Sequence, residues 1–322
     1  MTRHWLARMP AGLFAMPFGL FGLYGAWHRT LYFAWPLATP VATMLLSVAI
    51  TLTLGLLLLY TLKCMFHPHA VKQEFFHPVH GLLQALIPMT VLLAAVNMAT
   101  PDSPFWLAAV LLALTLQGVI ALRSATLLAN GLMPAESLTP ALYLPTVGGG
   151  LVGGMAMAVL GYHGCAVLLF GMGLVCWALL EARVLNRLFE GPLPMALRPT
   201  IGVELAAPGV TTLSASIIWP QLSGDILLIG IGIAAGPIVT VLARYRWWSC
   251  VPFSTGFWSF SFPLAALASA IIEAVHRGGW SPLAAGVALT IASSVILFLV
   301  IRTLILLLKG KLIPASPIPD TP

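Results

Sequence analysis

The sequence predicts an all-α integral membrane protein: ten transmembrane helices paired as five hairpins around a central pore, with quasi-fivefold repetition. Three observations predict it. Of the 322 residues, 60% are apolar and 7% charged, and the mean hydropathy is +0.99; a soluble domain carries about 25% charged residues. Ten mostly apolar runs approach the roughly 20 residues needed to cross a ~30 Å hydrocarbon core. A proline recurs at similar depth in every odd-numbered run. The composition excludes a soluble enzyme, a disordered chain and a nucleic-acid-binding module.

The ten runs are residues 9–27, 40–62, 79–98, 105–122, 141–160, 165–180, 199–219, 226–242, 253–275 and 282–308. They form one channel-like domain, 1–311, followed by a short tail, 312–322, expected in the cytoplasm. No cleaved signal is expected: the first run has basic residues before it, but no convincing small-residue cleavage site follows. With ten spans both termini share a side. Thirteen of the fifteen Lys and Arg residues, from Arg3 to Lys311, then fall on that side, and only Arg29 and Arg277 on the other. The positive-inside rule makes the richer side cytoplasmic. The basic loops read as topology signals; a lipid or nucleic-acid patch needs denser Lys/Arg clusters. Most tryptophans sit near span ends as an interfacial belt, Trp258 being the clearest exception.

The odd runs all cross from cytoplasm to outside. They carry Pro17, Pro88, Pro145, Pro208 and Pro263, most of them roughly 8–14 Å from the cytoplasmic end at 1.5 Å per residue. A proline removes a backbone hydrogen bond and bends a helix, and in lipid the freed carbonyl needs a partner from protein or water. Five such bends are simplest to explain if the odd helices surround one space and the even helices face lipid. The competing reading is chance alignment of a residue common in membrane helices. Small residues support an inner ring: Gly12, Ala15, Gly19 and Gly22 in the first run, Gly148, Gly149, Gly150, Gly153 and Gly154 in the fifth, and Gly202 and Gly209 in the seventh. Close helix packing accounts for such residues equally well. Thr90, Thr146, Thr211, Thr212, Ser214, Ser259 and Ser261 offer hydroxyls to line a neutral conduit.

Charges within spans mark function by default. Glu204 is the main candidate. It stands one turn before Pro208 and only ~9 Å along the helix from Arg198, which suits a cytoplasmic vestibule, with either a structural role or one in permeation or protonation. Glu273 and Arg302 lie near span ends and read as interfacial. No chain of buried acids runs through the spans, which favours passive conduction over a proton-driven pump. His67, His69, His77 and His80 cluster in the loop FHPHAVKQEFFHPVH. They could bind a divalent ion, but no cysteine accompanies them. Cys64, Cys165, Cys176 and Cys250 show no CxxC pairing, so no metal, disulfide framework or cofactor is expected. HExxH, GxSxG and paired intramembrane aspartates are missing, so no catalytic residue is assigned.

Stretches along nearly the whole chain resemble one family. They are PAGLFAMPFGLFGLYGAW, HPVHGLLQALIPMT, ALYLPTV with LGYHG, LLEARVLNRL, LRPTIGVELAAPGV, GFWSFSFPLAALA and IRTLILLLKGKL. The chain is similar to the tellurite-resistance/dicarboxylate transporter (TehA) family, distantly related to plant slow-type anion channels. The resemblance implies five hairpins around a pore, a homotrimer, and passage of small inorganic anions or C4-dicarboxylates such as malate across a bacterial inner membrane, with a link to tellurite resistance. It places a pore-blocking phenylalanine at Phe262. It also places Ala15 opposite that ring, where relatives have glycine; separately, Glu204 stands near the entrance where relatives have a neutral residue. A mid-span Phe read alone is more often packing.

The expected function is therefore an anion conduit lined by the odd helices and gated by Phe262, with Ala15 beside the gate. Pore-lining or kink positions are Pro17, Pro88, Pro145, Pro208, Pro263, Gly12, Gly19, Gly149, Gly209 and Ser259, and Glu204 is a vestibule charge. The alternatives are a proton-coupled dicarboxylate carrier using Glu204, and a metal-binding sensor or enzyme built on the histidine loop.

Overall fold

The computed structural model of the protein describes residues 4–134 and 137–314. Arg3 of the charge split, and the expected tail from residue 315 onward, lie outside the described residues. Ten helices organise the rest. They are α1 (Ala15–Arg29), α2 (Ala38–Phe66), α3 (Leu86–Met98), α4 (Pro104–Ala129), α5 (Gly149–Val159), α6 (His163–Glu190), α7 (Ala206–Ile218), α8 (Gly224–Ala243), α9 (Ser261–Gly278) and α10 (Leu283–Leu308). Each odd helix is prolonged at its N-terminus by an entry segment of different geometry. These segments are Ala11–Phe14, His80–Leu83, Pro140–Gly148, Met195–Leu205 and Thr255–Phe260. Among the described residues, nine of the ten spans are long and apolar enough on their own to cross a membrane; α1 with its entry turn forms the tenth.

The odd spans close a ring: α1 packs on α3, α3 on α5, α5 on α7, α7 on α9, and α9 back on α1. Each even helix packs on the odd helix before it as a hairpin partner and also touches the next odd helix. Burial separates the two layers. In the most apolar stretch of the third, fifth, seventh and ninth spans 67–78% of residues are buried, against 11–22% in the even helices. On the even helices exposed Leu, Ile and Val side chains cover the outside, and Ser47, Thr51, Thr115, Thr126, Thr240 and Thr290 each donate to the carbonyl four residues back. That is how a hydroxyl facing hydrocarbon satisfies itself without water.

The prolines act differently from simple kinks. Pro17, Pro88, Pro208 and Pro263 are each the third residue of α1, α3, α7 and α9. The first four N–H groups of an α-helix have no acceptor within it, so a proline there loses no helical hydrogen bond, and its fixed φ suits the first turn. The entry segments are 3₁₀ in the first, seventh and ninth spans, and an isolated short turn in the third. Each proline thus marks the handover from a loosely wound entry segment to an α-helix. In the fifth span Pro145 lies in a π turn, Leu144–Gly148. There Gln117 of α4 donates its Nε2 to the carbonyls of Leu144 (2.8 Å) and Pro145 (3.0 Å), supplying partners to carbonyls near the break.

The first entry segment is held from below. Lys63 of α2 and Glu74, on a short helix Pro68–Phe76, form a fully buried pair at 2.6 Å. Glu74 Oε1 accepts from the Ala11 N–H (2.7 Å), and Lys63 Nζ donates to the Met9 carbonyl (2.7 Å). At the opposite end Glu273 of α9 accepts from Arg29 of α1 (2.9 Å) and from Arg277 (3.2 Å). Arg277 also donates to the carbonyls of Ser216, Trp219 and Leu222 at the end of α7. One cluster therefore fastens the far ends of three inner helices.

Candidate functional site

A cavity of about 760 Å³ lies inside the ring. Every odd span supplies wall: Gly12 and Ala15 from the first, Leu86 and Met89 from the third, Tyr143 and Val147 from the fifth, Val203 and Ala206 from the seventh, Ser259 and Phe262 from the ninth. No described residue of α2, α4, α6, α8 or α10 contributes. The loop residues Pro10, His77, Pro194 and Pro252 line the end at which the inner spans begin, so the cavity is a vestibule for that end.

Phe262 and Phe18 stand where the wall reaches the handover level. Their ring centroids are 4.1 Å apart at 39°, and Phe262 is 5% exposed. Behind Phe262 lies Gly22 of α1, where a Cβ would come within 2.8 Å of the ring's Cδ2. Only glycine lets the ring seat this deeply between α1 and α9. Trp258, one turn before Phe262, donates Nε1 to Thr303 Oγ1 of α10 (2.8 Å). This bond draws a tryptophan away from the interfacial belt into the wall.

Of the residues singled out by sequence, Gly12, Ala15, Gly148, Ser259, Phe262 and Pro263 are in the wall, and His77 and His80 line its mouth. Ala15 shares it with Phe262, whose close partners are Phe18 and Gly22. Pro17, Pro88, Pro145 and Pro208 are buried at the handover points, outside the cavity wall. Three glycines serve helix crossings instead of the wall. Gly19 abuts Ser261 and Trp258, Gly149 abuts Gln117 of α4, and Gly209 abuts Leu267 of α9. Close approach of helices uses up the small residues.

The hydroxyls are mostly spent on backbone as well. Thr90 donates to Leu86, Thr212 to Pro208, Ser214 to Leu151 and Ser261 to Trp258. Of the seven expected, Ser259 alone reaches the cavity, and its Oγ donates to the Pro199 carbonyl at 2.5 Å. That bond ties the ninth entry segment to the seventh.

Glu204 is not a vestibule charge. It is 4% exposed and lies behind the wall, beside the Tyr143 hydroxyl (3.4 Å), because its neighbour Val203 takes the wall position. At the mouth, His77 Nδ1 accepts from the N–H groups of Val79 (3.1 Å) and His80 (3.2 Å). Burial, then His80 and Arg123, push the His77 imidazole down to about 4, so it stays neutral at neutral pH. Among the described residues no three His, Cys, Asp or Glu side chains converge as a metal site.

Sequence reasoning missed Phe18, Gln117, Glu181 and the Lys63–Glu74 pair. Gln117 had a signal, as the one amide in a long apolar helix. Glu74 had a weaker one: an acid in a basic, histidine-rich loop. Phe18 had none to set it apart from its aromatic neighbours.

Comparison with known proteins agrees with this architecture. The tellurite resistance protein TehA homolog of Haemophilus influenzae is 29% identical over 309 residues, covering 94% of this chain and 92% of that protein. The S-type anion channels SLAH1 and SLAH4 of Arabidopsis thaliana are each 27% identical, over 301 and 289 residues, covering 85% and 82% of this chain and 73% of each channel. The family described as SLAC1, voltage-dependent anion channel, matches residues 8–307, and the chain, a multi-pass membrane protein closed into a ring of five hairpins, belongs to that family.

Proposed function

We propose that this protein conducts small inorganic anions or C4-dicarboxylates through the space enclosed by its odd helices, with Phe262 as the plug. Its setting is a bacterial inner membrane, both termini cytoplasmic, as a homotrimer, and the tellurite link follows the Haemophilus relative's name. The observation that carries the reading is a vestibule walled by all five inner spans and ending against Phe262 and Phe18. An apolar ring closes such a path by filling and drying it.

Electrostatics supports anions over cations. The five inner helices run parallel, so their positive ends face the vestibule. At the far end, where the helix C-termini would oppose an anion, Arg29 and Arg277 stand in the last turns of α1 and α9 against one carboxylate, Glu273. Among the described residues the cavity wall holds no Lys, Arg, Asp or Glu, so on this reading selectivity rests on width and weak polar contacts.

Purified protein in planar bilayers, with chloride, nitrate and malate compared, tests this. Phe262→Ala is expected to raise anion conductance by on the order of tenfold or more, because it removes the dry constriction. Unchanged conductance in a folded variant would overturn the plug. The buried carboxylate of Glu204 beside the wall keeps one other reading open: a proton-coupled dicarboxylate carrier. Reversal potentials that move with a pH gradient favour the carrier; potentials that do not move favour simple conduction.

A further inference from the structure

Glu204 poses a bookkeeping problem. Its Oε2 lies 3.4 Å from the Tyr143 hydroxyl, and that hydroxyl also lies 2.8 Å from Glu181 Oε2 of α6, which accepts from Trp177 Nε1 at 2.8 Å. A phenol has one proton to donate. The short contact and the indole bond assign that proton to Glu181. Glu204 is then left with no donor for either oxygen, and its Oε1 is buried without a hydrogen-bond partner among the described residues. An ionised carboxylate so placed, beside a second carboxylate, bears an uncompensated desolvation cost.

Among the described residues no cation hydrogen-bonds it, and the one positive charge that reaches it, that of Arg244, is engaged elsewhere. The entry segment Met195–Leu205 packs against Pro140–Tyr143, Thr255–Phe260, Tyr245–Ser249, α7, α8 and α9. Thr255–Phe260 and α7 carry no titratable side chain. Tyr245 and Arg246 are exposed, Asp225 of α8 lies at the opposite end, and so do Glu273, His276 and Arg277 of α9. Arg198, on the same segment, donates to the Leu193 and Trp247 carbonyls. Arg244, just past α8, donates to the Leu188 carbonyl at 3.3 Å and rests over Trp247. A protonated Glu204 resolves the count, since its O–H can donate toward the Tyr143 oxygen, leaving the phenol proton to Glu181.

We infer that Glu204 is a proton-binding site set just behind the pore wall. With the proton on, the wall behind Tyr143 and Val203 is neutral and anions pass. When the proton leaves to water at higher pH, two carboxylates face one hydroxyl and a negative charge stands beside the path. This rests on the anion-conduit reading, and differs from the carrier in that the proton does not travel with the anion.

The test is anion flux into proteoliposomes holding the Phe262→Ala background, with equal pH on both sides, from about pH 5 to about pH 9, a range that starts near the ordinary carboxylate value and runs well above it. Flux is expected to fall roughly tenfold as pH rises, the effect of one charge near the path at intermediate dielectric. Adding Glu204→Gln is expected to flatten the profile at the low-pH level. Glu181→Gln, which removes the competing negative charge, is expected to move the fall to lower pH. Infrared difference spectra are expected to show a protonated-carboxyl band that disappears with the same midpoint. Identical profiles with and without Glu204→Gln overturn the inference, as does a band that survives the substitution. If Glu204→Gln does not fold, the Glu181→Gln shift decides, and a midpoint that stays put overturns it. Absence of flux in Phe262→Ala at every pH would instead sink the conduit reading, while the infrared band would still report on the proton.

Discussion

Phe262 and Phe18 face one another across the floor of the vestibule at 4.1 Å, so the proposed plug is a pair of rings. Aromatic pairs contribute about 0.5–1.5 kcal/mol beyond their buried area, which holds Phe262 against its glycine seat. Phe18→Ala is therefore expected to raise conductance, though by less than Phe262→Ala, because the larger obstruction remains while its brace is gone. The double variant should show less than the product of the two single effects, as contacting residues do. Single-channel recording of the three variants checks this, and strictly multiplicative effects would mean that the rings act independently. The sequence could point to Phe262 only through the motif around Pro263. Phe18 lies next to Pro17 in a stretch full of Phe, Leu and Gly, and nothing local separates a ring facing the cavity from a ring facing a neighbouring helix.

Proline spacing did foretell where four inner spans change character, since the lost N–H favours proline in a first helical turn. It did not foretell the form of the change, because whether a chain kinks or switches from 3₁₀ to α depends on partners elsewhere. Gln117 is such a partner for the π turn at Pro145. Gln117→Leu leaves one buried and one part-buried carbonyl without it and is expected to cost about 1–3 kcal/mol. Glu74→Gln strips the buried Lys63 of its counter-charge and weakens the anchor of the first entry segment, for an expected loss of roughly 3–5 kcal/mol. Thermal midpoints in detergent should therefore fall for both, and further for Glu74→Gln. A midpoint for Glu74→Gln equal to that of the parent would mean that the pair does not anchor the segment. The glycines and hydroxyls misled for one shared reason: sequence shows that a position is small or polar, and only packing decides whether it meets lumen, helix or its own backbone.

At the scale of the whole molecule, layers and hairpin order were legible because hydropathy and charge placement are averages over many residues, insensitive to any one contact. What averages cannot convey is an asymmetry between the two ends of the ring. The far ends of α1, α7 and α9 are fastened through Glu273, Arg29 and Arg277, with the arginines also bonded to helix carbonyls. The near ends are entry segments, and Met195–Leu205 stays 3₁₀ over 11 residues, although runs beyond about 3–4 residues are uncommon because their hydrogen bonds are poorly aligned. Ser259 bonded to Pro199 joins two such segments to one another. Opening of the plug is then expected to be a movement of the near half about the handover prolines, with the far half fixed. Hydrogen exchange in nanodiscs should find backbone amides of Met195–Leu205 and Thr255–Phe260 opening more readily than those of α7 and α9, since local opening follows the weaker backbone bonds. Phe262→Ala should leave that gradient in place, as it removes a ring and not a backbone bond. Equal protection along both halves would place the hinge elsewhere and would favour a plug that moves by side-chain rotation alone.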